Sequence, residues 1–372
     1  MHCPGRGAEE FQFLIMTPLI RKDSAMPDKR IVWWLLSGCL LIFLMVVIGG
    51  ITRLTGSGLS ITEWNVIMGI IPPLNAHDWH IAFAKYQLSP QFQKVNSGMI
   101  LEEFKSIFMW EYIHRLIGRL IGMVFLLPFC WFLFTRRLDK PLLLRLLLLF
   151  GLGGLQGFLG WYMVSSGLIN NPHVSHYRLA IHLITAFVTF GFVFYTAQDL
   201  RYPRASVSNP VLKQITTFIL SVLVLQIVYG ALVAGLHAGL VYNTFPRMGE
   251  HWIASGIFNL TPVWRNLTEN MICVQFIHRS MAWLIVLLSI VFLIQLRKAA
   301  LTHAQGRAAT IFIAALFIQF LLGMLTLLYY VPVPLAVLHQ SGAFALFTAV
   351  LYLRHRLGSS SVPANRSSFP PI

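Results

Sequence analysis

Charged residues are scarce in this chain, and acidic residues are the scarcest of all. Only 11% of the 372 residues are charged, with 13 Asp and Glu against 28 Lys and Arg. Hydrophobic residues make up 56% of the chain, and its mean hydropathy is +0.69. Because a soluble domain carries about 25% charged residues, this composition excludes an ordinary soluble protein.

Cysteine is also rare, and its placement excludes two kinds of site. The four cysteines lie at positions 3, 39, 130 and 273, with no CxxC pair among them. Cys39 and Cys130 fall inside apolar runs, so neither a disulfide framework nor a cysteine metal site is predicted. The net charge of +15 does not indicate nucleic-acid binding, because the basic residues are spread among connecting segments and form no single patch.

Long apolar runs are what the chain has in abundance. A run of about 20 residues crosses a bilayer as a helix, so the chain is predicted to be an all-α polytopic membrane protein. Eight transmembrane helices are predicted at 31–51, 110–134, 142–164, 177–198, 211–234, 272–296, 308–330 and 333–353.

The connecting segments predict the orientation of these helices. Most Lys and Arg lie in the two tails and in alternate short connections, so both termini are predicted to be cytoplasmic. The first long loop (52–109) and the second long loop (235–271) then face the outer compartment. The first 30 residues contain no long apolar core with a cleavage site, so no cleaved signal peptide is predicted, although a start at Met26 stays open.

Segments of the first half of the chain recur in the second. They pair as EYIHR (111–115) with QFIHR (275–279), LQGFLG (155–160) with IQFLLG (318–323), LAIHLITAF (179–187) with LAVLHQSGAF (335–344), and, more loosely, GGITRLTGSGL (49–59) with YGALVAGLHAGL (229–240). Four spans per half give both copies the same orientation, as in parallel membrane repeats. The predicted organisation is two parallel four-helix-bundle repeats with short tails: residues 1–30, 31–198, 199–356 and 357–372.

The duplication yields four histidines in two equivalent pairs. His114 and His182 lie near the outer ends of the second and fourth helices of the first repeat, and His278 and His339 lie at the same places in the second. Two imidazoles on facing helices are a common axial pair for haem iron in bundle cores. Zinc is disfavoured, because no cysteine or carboxylate set completes four ligands. The pattern therefore favours two bis-histidine haem sites over interfacial polar histidines.

Other histidines and several glycines of the chain have simpler interpretations. A solvated or interfacial surface is the preferred explanation for the histidines at 77, 80, 173, 176, 237 and 251. Close helix packing is expected at the glycines at 118, 122, 151, 153, 154, 157 and 160, with room for a macrocycle as the alternative.

The two copies differ three residues before the first histidine of each pair. Glu111 shares a helical face with His114, whereas neutral Gln275 precedes His278. A carboxylate there can accept a proton or stabilise a developing positive charge. The first site is therefore predicted to carry the chemistry and the second to transfer electrons.

A structural ion pair of Glu111 is the competing interpretation, and it is compatible with the first. Glu111 would then pair with Arg115 or Arg119. Arg119 is also private to the first copy, because Trp283 occupies its position in the second.

At these residues the sequence resembles the haem A synthase family, membrane enzymes that convert haem O to haem A for terminal oxidases. The resemblance covers about residues 31–356 and rests on GGITRLTGSGLSITEW (49–64), EYIHRLIGR (111–119), the helix containing His182, VAGLHAGLVYNTFPRM (233–248), FIHR (276–279) and LHQ (338–340). One branch of the family carries a cysteine pair in the first outer loop. Residues 52–109 contain no cysteine, so the chain resembles the other branch, which has bacterial and mitochondrial members.

The resemblance implies specific roles for the paired histidines and for Glu111. His278 and His339 would be the axial ligands of a resident haem b, His114 and His182 would ligate the substrate haem, and Glu111 would be the catalytic acidic residue. A ring methyl of haem O would be oxidised to a formyl group by two hydroxylations and a dehydration, with haem b relaying electrons.

Further expectations concern the haem propionates, the partners and the location. Arginine pairs with carboxylates in a two-pronged way, so Arg115, Arg119 and Arg279 are candidates for binding propionates. The expected partners are haem O, the lipid bilayer, the farnesyltransferase that makes haem O, terminal oxidase assembly factors and a second copy of the chain. The expected location is a bacterial inner membrane, with the mitochondrial inner membrane as the alternative and the site towards the outer face.

Two other functions fit the residues and stay open at this point. A b-type di-haem carrier would pass electrons without altering its haem, and it would need no carboxylate in one half only. A haem transporter or chaperone is the other alternative built on parallel repeats.

Overall fold

The computed structural model of the chain describes residues 28–63, 70–168, 172–202 and 209–358, and this part is all-helical. Most of the predicted tails 1–30 and 357–372, and Trp64 of the first motif, lie outside the described residues. Eight described helices are long and apolar enough to cross a membrane. We label them α1 (Lys29–Leu54), α2 (Leu101–Phe134), α3 (Lys140–Ser165), α4 (His176–Arg201), α5 (Pro210–Gly235), α6 (Met271–Leu296), α7 (His303–Leu328) and α8 (Val333–Arg356).

The eight predicted spans are confirmed, and the largest difference is at the start of α2. The prediction placed this start at 110, but α2 begins at Leu101. The added turns are held by apolar packing, because Phe104 and Phe108 are buried against Trp79 and Tyr86. These partners belong to a short helix of the first long loop, Ala76–Gln87.

The first long loop therefore has helical structure of its own. The helix Ala76–Gln87 is preceded by its N-cap residue, Asn75. The side chain of Asn75 accepts a hydrogen bond from the backbone N–H of Asp78. A second short helix, Pro90–Lys94, is capped by Ser89 in the same way. The loop forms a folded layer over one end of α2.

Four helices form the centre of the molecule, two from each half of the chain. Helix α4 packs on α1 and α5, and α8 packs on α1, α4 and α5. The contact between α4 and α8 is aromatic, with ring centroids of Phe190 and Phe344 4.2 Å apart and those of Phe187 and Phe347 5.3 Å apart. Helices α2 and α3 lie on one flank and α6 and α7 on the other, and within each flank the two helices touch at few points.

The ends of α1 and α5 have the same local structure. After α1 the chain turns at Gly56, with φ of 68°, into a 3₁₀ turn, Ser57–Leu59. After α5 it turns at His237, with φ of 56°, into Ala238–Leu240. When GSGL (56–59) is aligned with HAGL (237–240), Gly49 of α1 and Gly230 of α5 occupy equivalent positions. This shared geometry supports our proposal that residues 31–198 and 199–356 are two copies of one unit.

Buried charges join three helices at the end of α4 that is remote from the four histidines. The carboxylate of Asp199 on α4 accepts a hydrogen bond of 2.9 Å from Arg145 on α3. Its other oxygen lies 3.3 Å from Nε2 of His355 on α8. The side chains of Asp199 and His355 are 6% and 3% exposed. Desolvation of such ions costs several kcal/mol each, so the arrangement depends on every partner being present.

We predict that Asp199→Asn destabilises the protein by about 3 kcal/mol, because it removes the charge that neutralises buried Arg145. Thermal unfolding of the purified protein in detergent measures the effect. Glu102→Gln is the matched control, since the ion pair of Glu102 with Lys105 is largely exposed and such pairs contribute less than about 1 kcal/mol. Equal losses of Tm in the two variants would contradict the prediction.

Candidate functional site

Both histidines of the first predicted pair, His114 and His182, lie against a glycine of the neighbouring helix. A Cβ placed on Gly49 of α1 would be 3.1 Å from Nε2 of His114 on α2. A Cβ placed on Gly160 of α3 would be 3.4 Å from Cε1 of His182 on α4. His182 also lies within electrostatic range of His114. The structure therefore brings the first predicted pair together, with each imidazole packed on bare helix backbone.

The second half repeats this arrangement. A Cβ on Gly230 of α5 would lie 3.3 Å from Cε1 of His278 on α6, and a Cβ on Gly323 of α7 would lie 2.7 Å from Cε1 of His339 on α8. His339 lies within electrostatic range of His278. Carbon atoms in contact need about 3.5–4.0 Å, so a Cβ on Gly323 would displace the imidazole, whereas one on Gly230 would require only a small shift.

Glutamine side chains accompany the imidazoles of the second pair. The Nε2 atom of Gln319 lies 3.1 Å from Nδ1 of His339. The Nε2 atom of Gln226 lies 3.5 Å from Nε2 of His278. Position 156 of α3 is the counterpart of Gln319 in the matching LQGFLG segment, and Nε2 of Gln156 is buried with no hydrogen-bond partner in the described structure.

Two ring nitrogens of the histidines fit the donor set of a haem site. Nδ1 of His182 and Nδ1 of His278 are buried, and neither has a hydrogen-bond partner in the described part of the chain. A buried polar atom without a partner costs about 1–3 kcal/mol. Paired imidazoles with glycine behind them and unsatisfied nitrogens suit a flat macrocycle that carries its own equatorial ligands.

The carboxylate of Glu111 is buried and accepts four hydrogen bonds. One oxygen accepts from Oγ of Ser60 at 2.7 Å and from the backbone N–H of Ile61 at 2.8 Å. The other accepts from Nε and NH2 of Arg115 at 3.1 and 2.7 Å. Arg115 also donates to the backbone carbonyls of Ile61 and Glu63. The predicted ion pair of Glu111 with Arg115 is confirmed, and it anchors the first long loop to α2.

The second copy anchors its own long loop with a neutral side chain. Nε2 of Gln275, which is 2% exposed, donates to the backbone carbonyl of Tyr242 at 3.1 Å. Arg279 donates to the carbonyls of Pro246 and Arg247 at 2.8 and 2.9 Å. Both copies thus use this position to fasten a loop, and only the first does so with a charge.

The remaining predicted site residues lie around this anchor. Arg115 and Arg119 line a cavity of about 390 Å³ beneath the first long loop, together with Lys85 and Tyr112. The guanidinium of Arg279 lies 5.7 Å from the ring centroid of Phe245. The cavity places two of the three propionate candidates beside one opening, whereas Arg279 serves its own loop.

Of the six histidines expected at a surface, those at 77, 80, 173, 237 and 251 are exposed, whereas His176 is half-buried and its Nε2 is buried. His77 and His80 are exposed on the helix Ala76–Gln87. The rings of His173 and His237 have centroids 5.9 Å apart. Burial, with the positive charge of Arg53 nearby, lowers the pKa of His237, which favours its neutral form.

Several residues of the site escaped the sequence analysis. Nε2 of Gln340, the residue after His339, donates to the backbone carbonyl of Val46 at 2.6 Å and so ties α8 to α1. A Cβ on Gly50 would lie 2.7 Å from the carbonyl oxygen of that side chain. The register of GSGL on HAGL is the signal in the sequence for Gly49 and Gly230, whereas Gly50 and Ser60 stand in the motif GGITRLTGSGLSITEW with nothing to mark their contacts.

Comparison with known proteins agrees with this architecture. The family model of the cytochrome oxidase assembly proteins, COX15-CtaA, matches residues 32–351. The chain is 49% identical to the heme A synthase of Nitrosospira multiformis, over 89% of this chain and 94% of that protein. It is 44% identical to the heme A synthase of Flavobacterium johnsoniae, over 89% and 98% of the two chains. With the heme A synthase of Parvibaculum lavamentivorans the identity is 45%, over 88% and 94%.

We predict that Gly323→Ala weakens haem binding at the second pair by about 10-fold to 100-fold, the usual cost of misplacing a metal ligand. The new methyl group would force the imidazole of His339 to move. Titration of the purified protein with haem, followed by its low-spin absorption, measures the affinity.

The control for this prediction is Gly306→Ala in the same helix. A Cβ there meets nothing within 4 Å in the described structure, and both changes raise helix propensity equally. Unchanged haem affinity in Gly323→Ala, or an equal loss in Gly306→Ala, would contradict the prediction.

Proposed function

The chain belongs to the COX15-CtaA family of cytochrome oxidase assembly proteins, and we propose that it is a haem A synthase that oxidises haem O. The observation that carries this proposal is the pairing of two equivalent bis-histidine pockets with one private carboxylate. Glu111 is buried one helical turn from His114, whereas the same position of the second copy holds Gln275. A carrier that only passed electrons would have no use for this difference.

We assign different haems to the two pockets. His114 and His182 would hold the substrate, and His278 and His339 would be the axial ligands of a resident haem b. The amides of Gln226 and Gln319 beside the second pair support this division, since outer-shell hydrogen bonds orient ligating imidazoles and tune the metal. When bound, this haem supplies one-electron transfer.

Glu111 would act on the substrate through its charge. Two hydroxylations of the ring methyl would give an alcohol and then a gem-diol, which loses water to form the formyl group. These steps remove protons, which a carboxylate can accept, and a nearby negative charge would stabilise any positive charge that develops on the substrate. Hydrogen bonds from Arg115 and Ser60 already hold the carboxylate in a fixed position. Preorganised charge of this kind costs no reorganisation during the reaction.

The arginines at the cavity would bind the propionates of the substrate. Arg115 and Arg119 line the same opening, and a guanidinium matches the geometry of a carboxylate. Arg279 would do the same for the resident haem at the edge of its loop.

The membrane setting follows from the eight apolar helices. We propose that both termini are cytoplasmic, that the two long loops and the four histidines lie towards the outer face, and that the membrane is a bacterial inner membrane. Contacts with the haem O-forming farnesyltransferase, with oxidase assembly factors and with a second copy stay predictions.

Production of haem A tests the function. The chain is expressed in cells that make haem O and lack any other haem A synthase, and the haems are extracted and identified by mass. Haem A is expected in the membranes. If only unmodified haems appear, the proposal is wrong, and movement of haem across vesicles would then favour a transporter.

We predict that Glu111→Gln retains haem but lowers formyl formation by about 10²-fold or more, the scale of acid–base and electrostatic contributions. The amide keeps the size of the side chain and loses its charge. Haem A yield per bound haem in membranes measures the effect.

Ser60→Ala separates this chemistry from loop anchoring. It removes one hydrogen bond to Glu111 and leaves the carboxylate in place, so a loss of only about fivefold is expected from one hydrogen bond of about 1 kcal/mol. If both variants lose the same activity, Glu111 acts by fastening the loop alone.

A further inference from the structure

Three aromatic rings close the gap between α6 and α7 in the second half. The ring centroids of Trp283 on α6 and Phe320 on α7 are 5.1 Å apart, in an edge-to-face arrangement. Phe245 of the second long loop lies 5.9 Å from each of them. The two helices otherwise touch at few points, so this aromatic cluster (Phe245, Trp283 and Phe320) is the bridge across the flank.

The first half has different residues at the same places. Aligning His114 with His278 puts Arg119 at the position of Trp283, and aligning Gln156 with Gln319 puts Gly157 at the position of Phe320. A Cβ on Gly157 would meet nothing within 4 Å in the described part of the chain. These two helix positions therefore supply no aromatic bridge, and an aromatic contact that does join α2 and α3, between Phe125 and Phe150 at 6.1 Å, lies about two turns further from the histidines.

A bare helix face continues from Gly157 towards His182. Gly153, Gly157 and Gly160 are three or four residues apart, so they lie on one face of α3. A Cβ on Gly153 also meets nothing within 4 Å in the described structure, whereas one on Gly160 meets the imidazole of His182. Gln156 shares this face, and its Nε2 is buried without a hydrogen-bond partner there. Bare backbone thus runs from the flank to the ligand histidine.

We propose that the gap between α2 and α3 is a lateral entrance through which the substrate haem enters from the bilayer and the product leaves. The aromatic cluster closes the equivalent gap and retains the resident haem. This inference rests on the proposed function, since a synthase must exchange its substrate at every turnover and must keep its electron relay.

The chemistry of the two gaps fits these two tasks. A haem with an isoprenoid tail partitions into hydrocarbon, so a path from the bilayer avoids water. Glycine lets a flat ring slide along the backbone of α3, and Arg119 at the rim suits a carboxylate of the same molecule. Across the other flank, exchange requires separation of three packed rings, each contact of which is favourable.

Transfer of haem to apomyoglobin tests the inference on the purified full-length protein in lipid nanodiscs. The variant Phe320→Gly gives the second half the glycine that the first half has at position 157. Loss of haem b from His278 and His339 is expected to be at least about tenfold faster in this variant. Phe317→Gly is the matched control on α7, because it makes the same change at a side chain that is 70% exposed.

The reciprocal change tests the entrance itself. Gly157→Phe gives α3 the bulk of Phe320, and loading of haem O into the first pocket is expected to slow at least about tenfold, while the spectrum of haem b stays unchanged. Gly151→Phe is its control, because residue 151 lies half a turn away from the Gly153–Gly157 face and also meets nothing within 4 Å in the described structure.

The outcomes separate this inference from the proposed function. If Phe320→Gly and Gly157→Phe both transfer haem at the wild-type rate, or if their controls show equal effects, the inference of a lateral entrance is wrong even if haem A is made. Since the transfer is measured without oxygen or reductant, altered rates would support the entrance even if the wild-type protein formed no haem A.

Discussion

The contact of an imidazole with bare helix backbone is the constraint on which the rest of the structure depends. It occurs four times, at Gly49, Gly160, Gly230 and Gly323, and always between neighbouring helices of one half. Glycine matters most at Gly323, where a Cβ would come within 2.7 Å of the ring of His339, and least at Gly160, where a Cβ would lie 3.4 Å from that of His182. The contacts join α1 to α2 and α3 to α4, and the second half repeats them between α5 and α6 and between α7 and α8.

One anchoring position serves both halves, and its charge separates them. Glu111 and Gln275 each fasten a long loop over the end of a helix, with help from the arginine four residues later. The amide does this without a charge, so anchoring alone does not require a carboxylate. The buried charge of Glu111 forms the ion pair with Arg115, and it is also the feature of the first half that the proposed reaction would use.

The two flanks differ in the same sense as the two anchors. Trp283 and Phe320 close one flank by ring packing, whereas Arg119 and Gly157 stand at the matching positions of the other. In the proposed function, these differences would make the first pocket a place of exchange and the second a place of retention.

The sequence by itself determined the eight spans, the two histidine pairs and the asymmetry at Glu111. Hydrophobic length and internal repetition are local properties, and each can be read without knowing which helices touch. Only the tertiary structure decided the loop partners of Glu111, because Ser60 and Ile61 lie about fifty residues away along the chain and reach it through the folded loop. The structure also shows that the prediction of close helix packing at seven glycines is wrong for five of them. A Cβ would meet nothing within 4 Å in the described structure at the glycines at 122, 151, 153, 154 and 157. A glycine has no side chain to mark the face it presents, so what lies against it is decided by the neighbouring helix.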